Sequence, residues 1–146
     1  SLDRAQRSPR WSRASGSNLI PSPHDSMGLI NKFFPDLEGR LIGRTVRAPV
    51  DHTSYVTCSF EVCNRIDEHA VLDCLASTRI ASTVLGVDHE PLVSSDYVTD
   101  PRSCVIDGTS IRVVDGYTIL ISAWYNNEYG FASRMINIAE KVSKKI

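Results

Sequence analysis

Three kinds of side chain in this sequence could do chemistry. The first is the thiol, at Cys58, Cys63, Cys74 and Cys104. No two of these form a Cys-x-x-Cys pair, which argues against a zinc site, and no metal ligand set is assigned. Reduced thiols are expected, with Cys58 and Cys74 in the core. A Cys58–Cys63 disulfide would require an oxidising compartment, and nothing else suggests secretion. The second is the guanidinium. Arg47 lies in Val46-Arg47-Ala48-Pro49-Val50, and Arg10 and Arg13 lie in an arginine-rich N-terminal stretch. A planar guanidinium fork can give two hydrogen bonds to one phosphate. The plain alternatives are a surface ion pair for a strand Arg and solvation for loop arginines. The third is the carboxamide of Asn127, just ahead of a helical stretch, where capping the helix is a competing role.

Other chemistry has no support in the sequence. There is no Gly-x-Gly-x-x-Gly, so no dinucleotide phosphate loop, and an isolated Rossmann domain is excluded. There is no Gly-x-Ser-x-Gly elbow and no His-Glu-x-x-His. His52, His69 and His89 read as surface residues. The net charge of −1 gives no global field for nucleic acid or an anionic membrane. No apolar run approaches the roughly 20 residues of a membrane span. The Arg-rich start has no apolar segment of the kind a signal peptide needs. At 146 residues, 42 % apolar and 23 % charged, the chain is long enough for one domain with a real core. A cytoplasmic location is expected. Ser1-Leu2-Asp3 reads as the inside of a loop, so a fragment of a longer protein is expected.

The elements that must position these groups follow from periodicity. Arg4, Arg7, Arg10 and Arg13 recur at every third residue with little apolar material between, which fits neither a buried helix face nor a strand. Residues 1–18 therefore read as a surface loop. Met27, Ile30 and Phe34 mark a helix over about 24–35, with Asp25 or Ser26 near its start and Pro35 as its stop. Strands are expected at 40–48 and 53–62. In the second, Ser54, Val56, Cys58, Phe60 and Val62 alternate with Tyr55, Thr57, Ser59 and Glu61, as in a half-buried antiparallel strand. A helix at 67–78 places Ala70, Val71, Cys74, Leu75 and Thr78 on one stripe, capped by Asp67. Short strands are expected near 83–88, 92–95, 103–106, 111–114 and 117–124, with a hairpin turn at Asp115-Gly116. A last helix spans about 128–142, with Phe131, Met135, Ile138 and Val142 toward the core and lysines at its end. Strands and helices do not alternate regularly. The fold class is therefore α+β: a mixed, largely antiparallel sheet with helices packed on one face, forming a single domain over 1–146.

Trp124-Tyr125-Asn126-Asn127-Glu128-Tyr129-Gly130-Phe131-Ala132-Ser133-Arg134-Met135 resembles the W-Y-D-N-E-x-G-Y/F-x-x-R-M/V stretch of the glyceraldehyde-3-phosphate dehydrogenase family. Asn18-Leu19-Ile20-Pro21 is similar to its N-I-I-P, and Phe34-Pro35-Asp36-Leu37-Glu38-Gly39-Arg40-Leu41 to its P-E-L-x-G-K-L. Val46-Arg47-Ala48-Pro49-Val50 resembles F-R-V-P-T, and Val93-Ser94-Ser95-Asp96-Tyr97 resembles V-S-S-D-F. The order and spacing of these stretches fit the C-terminal, substrate-binding half of that family over essentially the whole chain. Asp100-Pro101-Arg102-Ser103 and Ile106-Asp107-Gly108-Thr109 resemble its erythrose-4-phosphate or arsenic-operon branches.

The resemblance implies a function. Arg47 matches the family's phosphate-binding Arg. Arg10 and Arg13 fall in its R-x-x-R loop, with Arg10 the better phosphate candidate. Asn127 matches the Asn that reaches the nicotinamide carboxamide of NAD, or of NADP, and the two groups are expected to converge on one cleft. The family's reacting Cys precedes Thr-Thr-Asn, a context that none of the four cysteines here has. No catalytic residue is therefore assigned, and the chain alone is expected to be inactive. A sugar-phosphate aldehyde substrate, an N-terminal NAD-binding domain and a homotetramer are implied. The competing reading is a catalytically dead interaction or assembly module.

Three departures stand out. His24-Asp25 replaces the family's Thr-Gly. A carboxylate there would repel phosphate at a positive helix end, which suggests a hydrolysing rather than phosphorylating outcome. Phe131 takes the Phe rather than the Tyr alternative of that stretch, losing a hydroxyl, and Asn126 stands where the family has Asp.

Overall fold

The computed structural model describes residues 3, 8–14, 16–23, 27–77 and 83–144. They form two compact units, Ser1–Asp51 and His52–Ile146. The expected caps Asp25 and Ser26, and the His24-Asp25 departure, lie outside the described residues.

In the first unit a 3-10 helix, Pro9–Ser12, interrupts the expected loop. Pro9 opens it, with its fixed φ suited to a first helical position. Two short strands, β1 (Ile20–Pro23) and β2 (Arg44–Arg47), pair antiparallel with Ile20 opposite Arg47 and Pro21 opposite Val46. Between them run α1 (Met27–Phe33) and a 3-10 turn at Pro35–Leu37. Gly39 sits at φ 73°, which only a residue without a Cβ adopts readily.

The second unit holds a four-stranded sheet in the order β3-β6-β5-β4. The strands are β3 (Ser54–Glu61), β4 (Leu85–Asp88), β5 (Cys104–Val114) and β6 (Thr118–Tyr125). Among the described residues only the β4–β5 pair is parallel. The β5–β6 hairpin turns at Asp115 (φ 54°) and Gly116 (φ 78°), the two positive values that a type I′ turn requires. α2 (Glu68–Ser77) is capped as expected, with Asp67 Oδ1 accepting the Ala70 N–H at 2.8 Å. Its Val71 joins Ile106, Ile111, Ile119 and Ala123 in the core, with Leu72 and Leu75 packed against them. The α+β class holds, with α2 lying on one sheet face.

Four local expectations need correcting. The segment 92–95 is no strand; Ser94–Tyr97 is a 3-10 turn, because Asp96 Oδ2 takes the Val93 N–H (2.8 Å) and removes it from any ladder. The strands at 103–106 and 111–114 are one strand with a bulge. Asp107 to Arg112 spans five steps opposite two steps of β6, Ser122 to Leu120. Asp107 Oδ1 accepts the Thr109 N–H (3.0 Å) and hydroxyl (2.6 Å), and Ser110 Oγ accepts the Ser122 N–H (3.1 Å). These side chains give partners to two backbone N–H groups at the bulge, one on each strand.

The third correction concerns burial on β3. Val56, Cys58 and Phe60 do share the core face, opposite Ala123, Ile121 and Ile119. As the sheet edge, however, β3 stays partly uncovered, and Phe60 is 49 % exposed. Cys58 is half-buried, and Cys74 is exposed because α2 buries Val71 instead; no disulfide joins any of the four cysteines. The fourth concerns α3 (Tyr129–Ser143): Phe131, Met135, Ile138 and Val142 are each more than half exposed. The contacts of α3 lie elsewhere. A Cβ at Gly130 would come within 2.8 Å of the Arg102 carbonyl oxygen, and Arg134 donates to the carbonyls of Thr83 (2.9 Å) and Pro101 (3.2 Å). Periodicity reveals an apolar stripe, but not whether this unit covers it.

Candidate functional site

The first unit gathers two of the three arginines. Arg47, the last residue of β2, places its Cζ 4.9 Å from the centre of the Trp11 ring, a cation–π contact. Arg10, one residue before Trp11, donates from Nη1 to the Pro21 carbonyl at 3.1 Å. Pro21 follows Ile20, the residue paired with Arg47. Arg10, Trp11 and Arg47 therefore belong to one cluster on the β1–β2 ribbon. Both arginines are exposed. Among the described residues no carboxylate lies within ion-pair distance of Arg47, so its fork is not spent on a surface salt bridge. Arg13 is engaged differently: its Nη1 stands 3.6 Å from Asp3 Oδ2, and both side chains are largely solvated.

Asn127 belongs to the second unit. It is exposed in the turn between β6 and α3. It does not cap the helix. That role falls to the buried Asn126, whose Oδ1 accepts the N–H groups of Glu128 and Tyr129, both at 2.8 Å. Asn126 also donates from Nδ2 to the Val98 carbonyl at 3.0 Å. The Asn127 carboxamide makes no hydrogen bond among the described residues, leaving both its donor and acceptor ends available. Glu128 leans toward His52, with 3.8 Å between Oε2 and Nδ1, and both are exposed.

Beneath this turn lies an aromatic brace in which Tyr97 is buried, Trp124 half-buried and Tyr55 exposed. Tyr97 stacks on Trp124 with ring centres 5.5 Å apart and planes at 16°. Its hydroxyl donates to Asp88 Oδ2 at 3.2 Å. Burial, then the nearby Asp88 carboxylate, push its pKa up to about 12, so it remains a hydrogen-bond donor at neutral pH. Tyr55 packs on the same indole at 4.3 Å.

None of the predicted residues lines the open cavity of about 590 Å³ between Thr83, Asp100–Arg102 and the α3 residues Ser133, Arg134, Ile136 and Asn137. Its arginines are already committed. Arg102 Nε donates to both Asp100 oxygens (2.9 and 3.1 Å), and Arg134 holds backbone carbonyls. Burial pushes the Cys58 and Cys104 thiols up, the reverse of what a thiolate nucleophile needs.

A family model described as "Glyceraldehyde 3-phosphate dehydrogenase, C-terminal domain" matches residues 1–127. The chain belongs to that family. It is 38 % identical over 145 residues to a Nostoc protein named glyceraldehyde-3-phosphate dehydrogenase 3, covering 97 % of this chain and 43 % of that one. It is 34 % identical over 146 residues to a glyceraldehyde-3-phosphate dehydrogenase of Haloarcula vallismortis, covering 98 % and 43 %. The identity to glyceraldehyde-3-phosphate dehydrogenase 2 of Staphylococcus aureus is 28 % over 141 residues. The chain thus spans less than half the length of these relatives.

Within this domain, sequence reasoning missed Trp11, Tyr97 and Asn126. An Asn two residues before the expected helix start was the available signal for Asn126, since a cap reaches the second or third N–H beyond it. Trp11 and Tyr97 gave none, because their partners are distant in sequence.

Proposed function

We propose that this chain is the substrate domain of a nicotinamide-dependent dehydrogenase that oxidises a sugar-phosphate aldehyde. The reacting Cys, which matches none of the four here, and most of the NAD or NADP site belong to the preceding half of the same protein, which holds the NAD-binding domain. A cytoplasmic homotetramer is part of the same proposal, as the family implies.

One observation carries the reading: Asn126 caps α3 and leaves the neighbouring Asn127 carboxamide exposed and, among the described residues, without a hydrogen bond. A nicotinamide carboxamide offers one carbonyl acceptor and one amino donor. Asn127 is the side-chain type that complements both. NAD, when bound, supplies the hydride acceptor. Asn127 would orient its ring, and Arg47, with Arg10 beside it, would hold the substrate phosphate through charge-assisted hydrogen bonds. Trp11 restricts the Arg47 guanidinium from below.

In the full-length protein, Asn127→Ala is expected to raise the KM for NAD with little change in the KM for the sugar phosphate. An unchanged NAD KM would refute the nicotinamide role. The His24-Asp25 departure supports a hydrolysing outcome within the same proposal. Saturable stimulation of acyl-phosphate formation by inorganic phosphate would defeat that part alone.

A further inference from the structure

We infer that Asn126 is a positioning residue: by tying the start of α3 to the Ser94–Tyr97 turn, it fixes the loop that presents Asn127 to the nicotinamide. This rests on the nicotinamide reading of Asn127.

Asn126 is 6 % exposed and uses both ends of its amide. Oδ1 faces two N–H donors, Glu128 and Tyr129, while Nδ2 faces one acceptor, the Val98 carbonyl. The amide orientation follows from these partners, since a flip would set N–H against N–H. Val98 is itself held. It follows Tyr97, which is 3 % exposed, stacked on Trp124 and bonded to Asp88. Trp124 lies two residues before Asn126 on the same chain. The contacts close a ring from Trp124 through Tyr97 and Val98 to Asn126, and Asn127 sits just outside it.

A carboxylate at position 126, as in the family pattern, could still accept both helix N–H groups. It has no proton to give Val98. Asn126→Asp therefore separates capping from tethering.

In the full-length protein, Asn126→Asp is expected to raise the NAD KM about three- to tenfold, the scale of one buried hydrogen bond. The KM for the sugar phosphate should hold, and the melting temperature should fall less than in Asn126→Ala, which loses the cap as well as the tether. In an Asn127→Ala background the same change should have no further effect on NAD KM. An unchanged NAD KM in Asn126→Asp, with Asn127→Ala still impaired, overturns the inference and leaves the nicotinamide reading standing. Equal, additive losses in the double variant also overturn it, since they mark a structural role. An unchanged NAD KM in Asn127→Ala overturns both.

Discussion

The arginine cluster and the Asn126–Asn127 turn solve the positioning problem in opposite ways. The cluster lies on a ribbon of two four-residue strands, with exposed guanidiniums and a single aromatic face against Arg47. The turn lies at the end of a central strand, braced by a buried amide and by the buried Tyr97 ring stacked on the half-buried Trp124. A guanidinium meeting a phosphate draws on charge and needs little support, since its planar fork is already shaped for the anion. A neutral carboxamide has only hydrogen-bond geometry to offer, so its backbone must be fixed beforehand. Charge can therefore stand on a thin ribbon, whereas an uncharged contact needs a core beneath it.

The largest expected effect tests the charged side. Arg47→Ala should lower kcat/KM for the sugar phosphate about 100-fold, the scale of two charge-assisted hydrogen bonds. Arg47→Lys should restore only part of it, because an ammonium lacks the fork. Full recovery by Lys would mean that charge alone matters and would erase the geometric half of the comparison. Next is the neutral side, where Asn127→Ala should raise the NAD KM about tenfold, or about 1.4 kcal/mol.

A smaller effect concerns the rigidity of the second region. The Arg102 guanidinium bonded to Asp100 holds that carboxyl below its ordinary value. Its stabilisation is thus complete above the unfolded carboxylate pKa, about 3.9, and is lost as pH falls through the lower folded value. Asp100→Asn should cost about 1–2 kcal/mol at neutral pH, and the difference from wild type should close under acid. Denaturant titrations at several pH values measure this, and a gap that widened in acid would contradict it. The smallest effect is Trp11→Leu. Losing a contact of about 0.5–1 kcal/mol should raise the sugar-phosphate KM two- to fivefold and leave the NAD KM alone. A larger loss would mean that the ribbon depends on its aromatic support as much as the turn does.

Much of this was legible in the sequence. Turn chemistry was local and read correctly at Asp115-Gly116 and at the Asp67 cap. Strand parity was also local: Val56, Cys58 and Phe60 do share the core face, as their alternation implied. Burial depends on what lies across the sheet or beside a helix, so the α3 stripe and Cys74 were misplaced. The candidate residues came from the family resemblance. Their supports did not, because Trp11 meets Arg47 and Asn126 meets Val98 across 36 and 28 residues of sequence. The division of labour between Asn126 and Asn127 depended on a helix start one residue later than expected.

Recognition of the substrate phosphate by Arg47 remains our proposal, and one ratio decides it. The most direct measurement is the ratio of kcat/KM for glyceraldehyde 3-phosphate to that for unphosphorylated glyceraldehyde, in the full-length protein and in its Arg47→Ala variant. A large preference for the phosphorylated aldehyde is expected in the wild type, falling about 100-fold in the variant. The same ratio in both proteins would contradict it.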